Sequence, residues 1–252
     1  MPKRKNDNLS PLYFYEKGMD WNPVEKVIME RRSIRSFKDK PIPDSLIRRV
    51  LEAGRFSPSA GNAQPWKFIV VTDPEIIAKM EKTTIKLTKL IMWFVDYERN
   101  FIRKIFLKPL VKIIARFRPN ELHPIPFNLM QRIAAEKVPV YHNPTAIILL
   151  LVDKRGVGRP PLDMGIAGQN MVLAAHSLGL GTCWIGMITV LMKLPQWRKF
   201  FNVKYPYSLD DCLILGWPQA DFDGETDREV QVVDWYRQGS KGKPEVEQQG
   251  GD

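Results

Sequence analysis

Three arginines and a serine fall within five residues near the start of the chain: Arg31, Arg32, Ser33 and Arg35, in the run RRSIRSF. A guanidinium presents a planar fork of donors that matches phosphate oxygens, and a hydroxyl adds another donor. The run reads as a phosphate clamp or as a solvated basic loop. A second run, SPSAGNAQPW from Ser57 to Trp66, joins small residues to the amides Asn62 and Gln64. Small residues let a backbone approach a ligand closely, and amide side chains both donate and accept. The plain alternative is a helix-to-strand connection shaped by Pro and Gly. A third run, GIAGQNMVLAAHSLGLGTCWIG, spans Gly165 to Gly186. It holds no Walker pattern. Gly179 and Gly181 do not complete a dinucleotide fingerprint, because Trp184 stands where its third glycine is needed. A dinucleotide-binding Rossmann half is therefore not supported.

Other reactive side chains read as structural. Cys183 beside Trp184 behaves as a small buried hydrophobe in most settings. His142 before an apolar run and His176 on an Ala-rich stretch read as packing residues, as does Trp66. His123, His142, His176, Cys183 and Cys212 show no spacing of a metal site. No Ser/His/Asp set or paired carboxylates stand out.

These runs need elements to position them. At 252 residues and 44% hydrophobic, the chain has apolar material for a sizeable core. Helices are expected over Asn22–Arg31, with Asn22 as cap and Pro23 first, and over Pro43–Arg55, capped by Asp44. Lys67–Thr72 reads as a strand, and Asp73 as the cap of a helix opening at Pro74. Thr145–Asp153 is apolar throughout, as a strand buried on both faces would be. Leu162–Leu178 reads as a long helix closed by Gly179, and Lys193–Asn202 as a short one. Asp211–Gly216 and Glu229–Trp235 read as strands. The pattern is that of a mixed sandwich of helices and a sheet.

Charge is unevenly spread. Lys82 to Arg118 holds ten basic and two acidic residues, a net of +8 within a chain total of +10. Pro109 is expected to split this segment into helices near 84–107 and 109–118, with Pro119, Pro124 and Pro126 marking an irregular loop after them. Lys104, Lys108, Lys112 and Arg116 recur every fourth residue opposite an apolar side. That side is suited to burial as a lid, or to a membrane surface through 84–118. Nucleic acid is disfavoured, since no aromatic platform or zinc module accompanies the charge.

The runs, in this order, resemble the FMN-dependent nitroreductase family. The resemblance rests on RRSIRSF, SPSAGNAQPWKFIVV, DMGIAGQNMVLAAHSLGLGTCWIG and ILGWP at Ile214–Pro218 with Arg228 downstream. It implies an α+β fold: a three-layer sandwich with a mixed, mostly antiparallel central sheet flanked by helices. It implies FMN held by Arg31, Arg32, Ser33 and Arg35, with Pro58, Ser59, Ala60 and Asn62 reaching the same flavin from the other subunit of a homodimer. Ile185 and Gly186 would lie against the ring with their N–H groups towards it, and Arg228 would close on the phosphate. Arg35, Ile185 and Gly186 would form the catalytic edge. The family's lysine two residues before this arginine is Thr226 here. The segment from 83 to 137 departs from the compact family pattern.

The expected organisation is an N-terminal extension (1–21), an FMN-binding domain (22–237) carrying the 83–137 insert or lid, and a disordered tail (238–252). The favoured activity is an oxidoreductase drawing on NADH or NADPH and passing electrons by a ping-pong route to a small-molecule acceptor, a nitroaromatic or quinone. The rivals are a peripheral membrane flavoprotein, a non-catalytic basic membrane- or partner-binding module, and a protein that binds or fragments flavin. With no apolar segment after its basic N-terminus, the protein is expected in the cytoplasm, free or peripheral at the membrane.

Overall fold

The fold is built around one strand. In the computed structural model, which describes residues 21–95, 105, 116, 124–220 and 229–249, Ala146–Asp153 forms β3, the centre of a five-stranded sheet. Its residues are buried from Ala146 to Val152. Strand periodicity sends Ile147, Leu149 and Leu151 to one face and Ala146, Ile148, Leu150 and Val152 to the other, and each set joins a separate core cluster. An apolar run that alternates into two cores needs cover on both sides, which makes three layers.

Residues 31–221 form one compact unit. β2 (Trp66–Val71) pairs antiparallel with β3, and β5 (Tyr207–Pro218) pairs with its other edge. β5 in turn pairs antiparallel with β4 (Gly181–Trp184) and with the two-residue β1 (Phe37–Lys38). A register shift between Leu150 and Leu151 lets Asp210 bulge out of β5. Helices α2 (Asp44–Arg55) and α5 (Pro160–Ser177) supply Ile47, Val50, Met164 and Met171 to one core. They pack closely because Gly54 has no side chain: a Cβ there would lie 2.2 Å from Met171 Cε. Helices α3 (Pro74–Val95) and α4 (Pro124–Ala134), with the short α6 (Ile188–Leu191) and α7 (Pro195–Phe200), cover the other.

Several boundaries differ from the sequence reading for local reasons. Asp44 is the first helical residue rather than the cap, which falls on Pro43 with no side-chain bond. Asp73 does cap α3, accepting the N–H groups of Glu75 and Ile76 at 2.8 and 3.3 Å. That helix runs unbroken through residue 84 to Val95, so the insert begins as its continuation. Pro124 and Pro126 open α4 rather than a loop, since the first helical turn has no N–H partners to lose. The helix break at Pro109 and the stripe Lys104, Lys108, Lys112 lie outside the described residues, as do residues 1–20.

Residues 1–30 with 222–252 make the second unit. Its α1 (Pro23–Glu30) opens with Asn22 Oδ1 accepting from Val24 and Glu25, and Glu25 Oε2 accepting from Asn22 N–H at 2.9 Å. This is a reciprocal capping box. Strand β6 (Gln231–Trp235) pairs antiparallel with β7 (Glu245–Gln249) of its own chain. The segment read as a solvated tail thus contains a strand. Glycines at positive φ, Gly239 and Gly242, turn the chain, and Arg237 grips both Glu245 and Glu247.

Candidate active site

The basic run lies along the free edge of β4. Ser33 bridges Thr182 in parallel, and Ile34 N–H donates to the Thr182 carbonyl at 2.8 Å. Close approach is possible because Gly181 has no Cβ; one would sit 2.8 Å from Ile34 Cβ. Gly216 does the same on the neighbouring strand, where a Cβ would come within 2.4 Å of the Phe37 ring. These two glycines hold the segment from Arg31 to Phe37 against the sheet. Ser33 and Arg35 are exposed there, and Arg31 and Arg32 half-buried.

Arg35 faces two groups that the sequence reading set aside. The guanidinium lies near enough to Cys183 and to His142 to act on both charges. Burial, and then Arg35, holds the His142 pKa below its ordinary value, favouring neutral imidazole. Burial pushes the Cys183 thiol up, and outweighs Arg35 and Ser33, which pull it down. Cys183 is therefore a buried neutral thiol, as its neighbourhood to Trp184 suggests. His142 is the less legible residue. It and Asn143 both adopt positive φ, 61° and 49°, ahead of the buried Pro144 and the start of β3.

That turn is held from helix α3. Glu81 accepts the N–H groups of Val140 and Tyr141 at 2.7 and 2.9 Å. The Tyr141 hydroxyl, fully buried, meets Thr84 Oγ1 at 3.2 Å. Its phenol pKa is driven well up, chiefly by burial.

At the end of β4, Ile185 is buried and turned into the sheet: its N–H donates to the Cys212 carbonyl at 2.9 Å. This differs from the expectation that the Ile185 amide faces a ring, because β4 continues its pairing with β5 by one residue. Gly186 follows, exposed, and a Cβ built on it would find only Asp211 Oδ1 at 3.8 Å. Its carbonyl accepts from Thr189 N–H and Oγ1, which turn the chain into α6.

The second run, Pro58–Asn62, stands elsewhere. Ser59 Oγ accepts Gln64 N–H at 2.9 Å, and Gly61, Asn62 and Gln64 all take positive φ. The loop is anchored at its start by Asn170, which donates to the buried Ser57 Oγ at 2.8 Å. It enters the sheet where Trp66 pairs with Val152 and Asp153 N–H donates to the Pro65 carbonyl. That is the C-terminal end of β3. Arg35 and His142 lie towards the N-terminal end, where Thr182 and Ala146 both register on Leu215 of β5. Eight residues of strand separate the two ends by roughly 23 Å. Within one chain, therefore, Arg31, Arg32, Ser33 and Arg35 share one stretch bound to β4 at Thr182, Gly186 follows four residues after Thr182, and Pro58, Ser59, Ala60 and Asn62 do not join the basic run. Arg228 lies outside the described residues.

The chain matches known proteins in family, in sequence and in fold. The profile of the nitroreductase family matches residues 28–217. A protein of Archaeoglobus fulgidus, provisionally named an NADH dehydrogenase/NAD(P)H nitroreductase, is 26% identical over 203 residues, 79% of this chain and 87% of its own. The nitrobenzene nitroreductase of Ectopseudomonas oleovorans is 24% identical over 199 residues, 77% of this chain and 86% of its own. Among solved structures, the FMN-bound nitroreductase of Bacteroides fragilis superposes with a TM-score of 0.62 at 20% identity, covering 85% of this chain and all of that one. Because the family match runs across three-quarters of the chain, from α1 to the end of β5, the chain belongs to the nitroreductase family.

Proposed function

We propose that the protein is an FMN-dependent oxidoreductase that draws electrons from NADH or NADPH and delivers them to a small organic acceptor, a nitroaromatic or a quinone. The observation that carries this reading is the free edge of β4, where the run holding Arg31, Arg32, Ser33 and Arg35 is bound at Thr182, four residues before the exposed Gly186. Arginine forks and a hydroxyl suit a phosphate and a ribityl chain. An exposed glycine, with no side chain of its own, lets a flat ring approach the main chain. FMN, when bound, supplies the two-electron carrier. Arg35 is the cation at hand to offset negative charge gained by the ring. Neutral His142 adds a polar group beside it. Arg228 is proposed as a further phosphate contact.

The separation of Pro58–Asn62 from Arg35 within one chain supports a homodimer, in which this loop completes the site of the second subunit. One flavin face cannot stack a nicotinamide and an acceptor at once, so donor and acceptor take turns, and the kinetics are ping-pong. Two buried free thiols suit a reducing compartment such as the cytoplasm.

The test is the absorption spectrum and extracted flavin of the purified protein, followed by NADH and NADPH oxidation with a nitroaromatic and a quinone. Arg31→Ala with Arg35→Ala is expected to lose most of the flavin. Full flavin occupancy in that double variant overturns the assignment. A flavin-loaded monomer in sedimentation overturns the dimer.

A further inference from the structure

We infer that the outer face of helix α3 docks the protein on an anionic lipid surface. This goes beyond the redox reading and does not depend on it.

The inner face of α3 is fully used. Ile77, Met80, Thr84 and Thr88 are buried, and Glu81 is bound to the turn at 140–141. The opposite face carries Lys79, Lys82, Lys86 and Lys89, all exposed, at spacings of three and four residues that align them along one side of a helix. The same side ends in Leu90, Trp93 and Phe94, which are 51%, 48% and 46% exposed. Trp93 and Phe94 meet edge to face at 4.9 Å. Of these lysines, Lys89 is paired to Glu136. The outer face is thus a row of cations leading to an apolar and aromatic tip, in the stretch of sequence where +8 of the chain's +10 is concentrated.

This combination selects its partner by charge and by depth. Lysine stems lie along a bilayer surface with their ammonium groups among anionic headgroups, while Trp, Phe and Leu settle at the boundary with the acyl chains. Duplex nucleic acid would match the lysines and leave Leu90 and Phe94 without an apolar partner. Among the described residues no helix is long and apolar enough to cross a membrane, so the contact is one of surface docking.

The experiment uses the full chain as purified. It is sedimented with phosphatidylcholine vesicles with and without phosphatidylserine, at low and high salt. Binding is expected only with phosphatidylserine, and salt should release it. The triple variant Lys79→Gln/Lys82→Gln/Lys86→Gln is expected to bind about tenfold more weakly or worse. Leu90→Ser/Phe94→Ser should weaken binding to the same vesicles at unchanged charge. Thermal midpoints and flavin content of both variants check that they remain folded. Several outcomes overturn the proposal: wild type that does not pellet with phosphatidylserine, variants that bind as wild type does, or binding of duplex DNA or RNA in place of vesicles. A change of oligomeric state in Leu90→Ser/Phe94→Ser without any effect on vesicles also overturns it, since a second copy then covers the face. Wild-type protein that binds the vesicles but carries no flavin counts against the redox reading alone.

Discussion

Glu81 and Tyr141 are joined across 60 residues of sequence by a carboxylate oxygen that accepts the Tyr141 N–H at 2.9 Å, while the other oxygen takes Val140 N–H at 2.7 Å. The pair ties the helix from which the insert continues to the turn by which the chain returns. The residue after Tyr141 is His142, beside Arg35. A contact between the two ends of the insert therefore sets the backbone at the edge of the proposed flavin site.

Glu81→Ala removes both acceptors and leaves two part-buried amides without their charged partner. A charge-assisted bond of this kind contributes about 1.5–3 kcal/mol, and an unpaired amide costs more than an absent one. We expect a loss of roughly 2–3 kcal/mol in urea unfolding. Glu81→Gln keeps one acceptor and should lose less than half as much. A change within about 0.5 kcal/mol for the alanine variant would show that the turn holds without the tie.

The fold was legible where pattern and burial coincide. Thr145–Asp153 reads as a strand buried on both faces because no polar residue interrupts it, and β3 matches it within one residue. Asp73 and Asn22 announce their helices because each stands before a proline at the first helical position. The 124–134 helix was not legible, as two prolines in its first turn look like loop chemistry. β7 was hidden in a polar segment, because its pairing rests on Arg237 and two glutamates rather than on an apolar face. The basic run was legible as chemistry. His142 was not, since its meaning comes from a left-handed turn and a carboxylate 61 positions earlier in the chain. The direction of the Ile185 amide depends on the length of a ladder, which no residue type in the run reveals.

His142 gives a pH-dependent consequence. Its folded pKa lies below its ordinary value of 6.5, by burial first and Arg35 second. The unfolded chain then binds more protons than the folded one in the window between the two values. Stability from this group is therefore full above 6.5, declines as pH falls towards the folded pKa, and stays at its reduced level below it. Arg35→Gln removes the second cause and leaves the first, so the imidazole should titrate higher in that variant. NMR of the histidine ring protons reads both. Titration of His142 at or above 6.5 in the wild-type protein would show that its ring is not half-buried beside Arg35.

Gly168 tests the packing behind the site. A Cβ there would lie 2.2 Å from Cη2 and 2.5 Å from Cζ2 of Trp184, a rigid ring at the end of β4. Gly168→Ala should displace that ring and cost roughly 1–3 kcal/mol, with a shift in tryptophan emission. Gly54→Ala meets instead the terminal methyl of Met171, which can swing aside. Its cost should be the smaller of the two. An equal or greater loss at Gly54 would mean that Met171 is as confined as the indole.

The two cysteines separate a thiol reaction from flavin chemistry. Cys183 registers on Ile214, two residues from Cys212, so the thiols share one face of the sheet on neighbouring strands. Both are buried and free. Burial raises the pKa of each, and Cys212 is driven well up, with Asp211 and Cys183 adding to the effect. A thiol is a nucleophile only as its thiolate, so neither is poised to attack at neutral pH. Alkylation by iodoacetamide should be slow in the native protein and fast in urea. Cys183→Ser is expected to keep activity within a few-fold once its flavin content is matched to wild type. A thousandfold loss in that flavin-loaded variant, about 4 kcal/mol of barrier, would mean that a thiol step belongs to turnover and that the edge of Arg35 and Gly186 does not act alone.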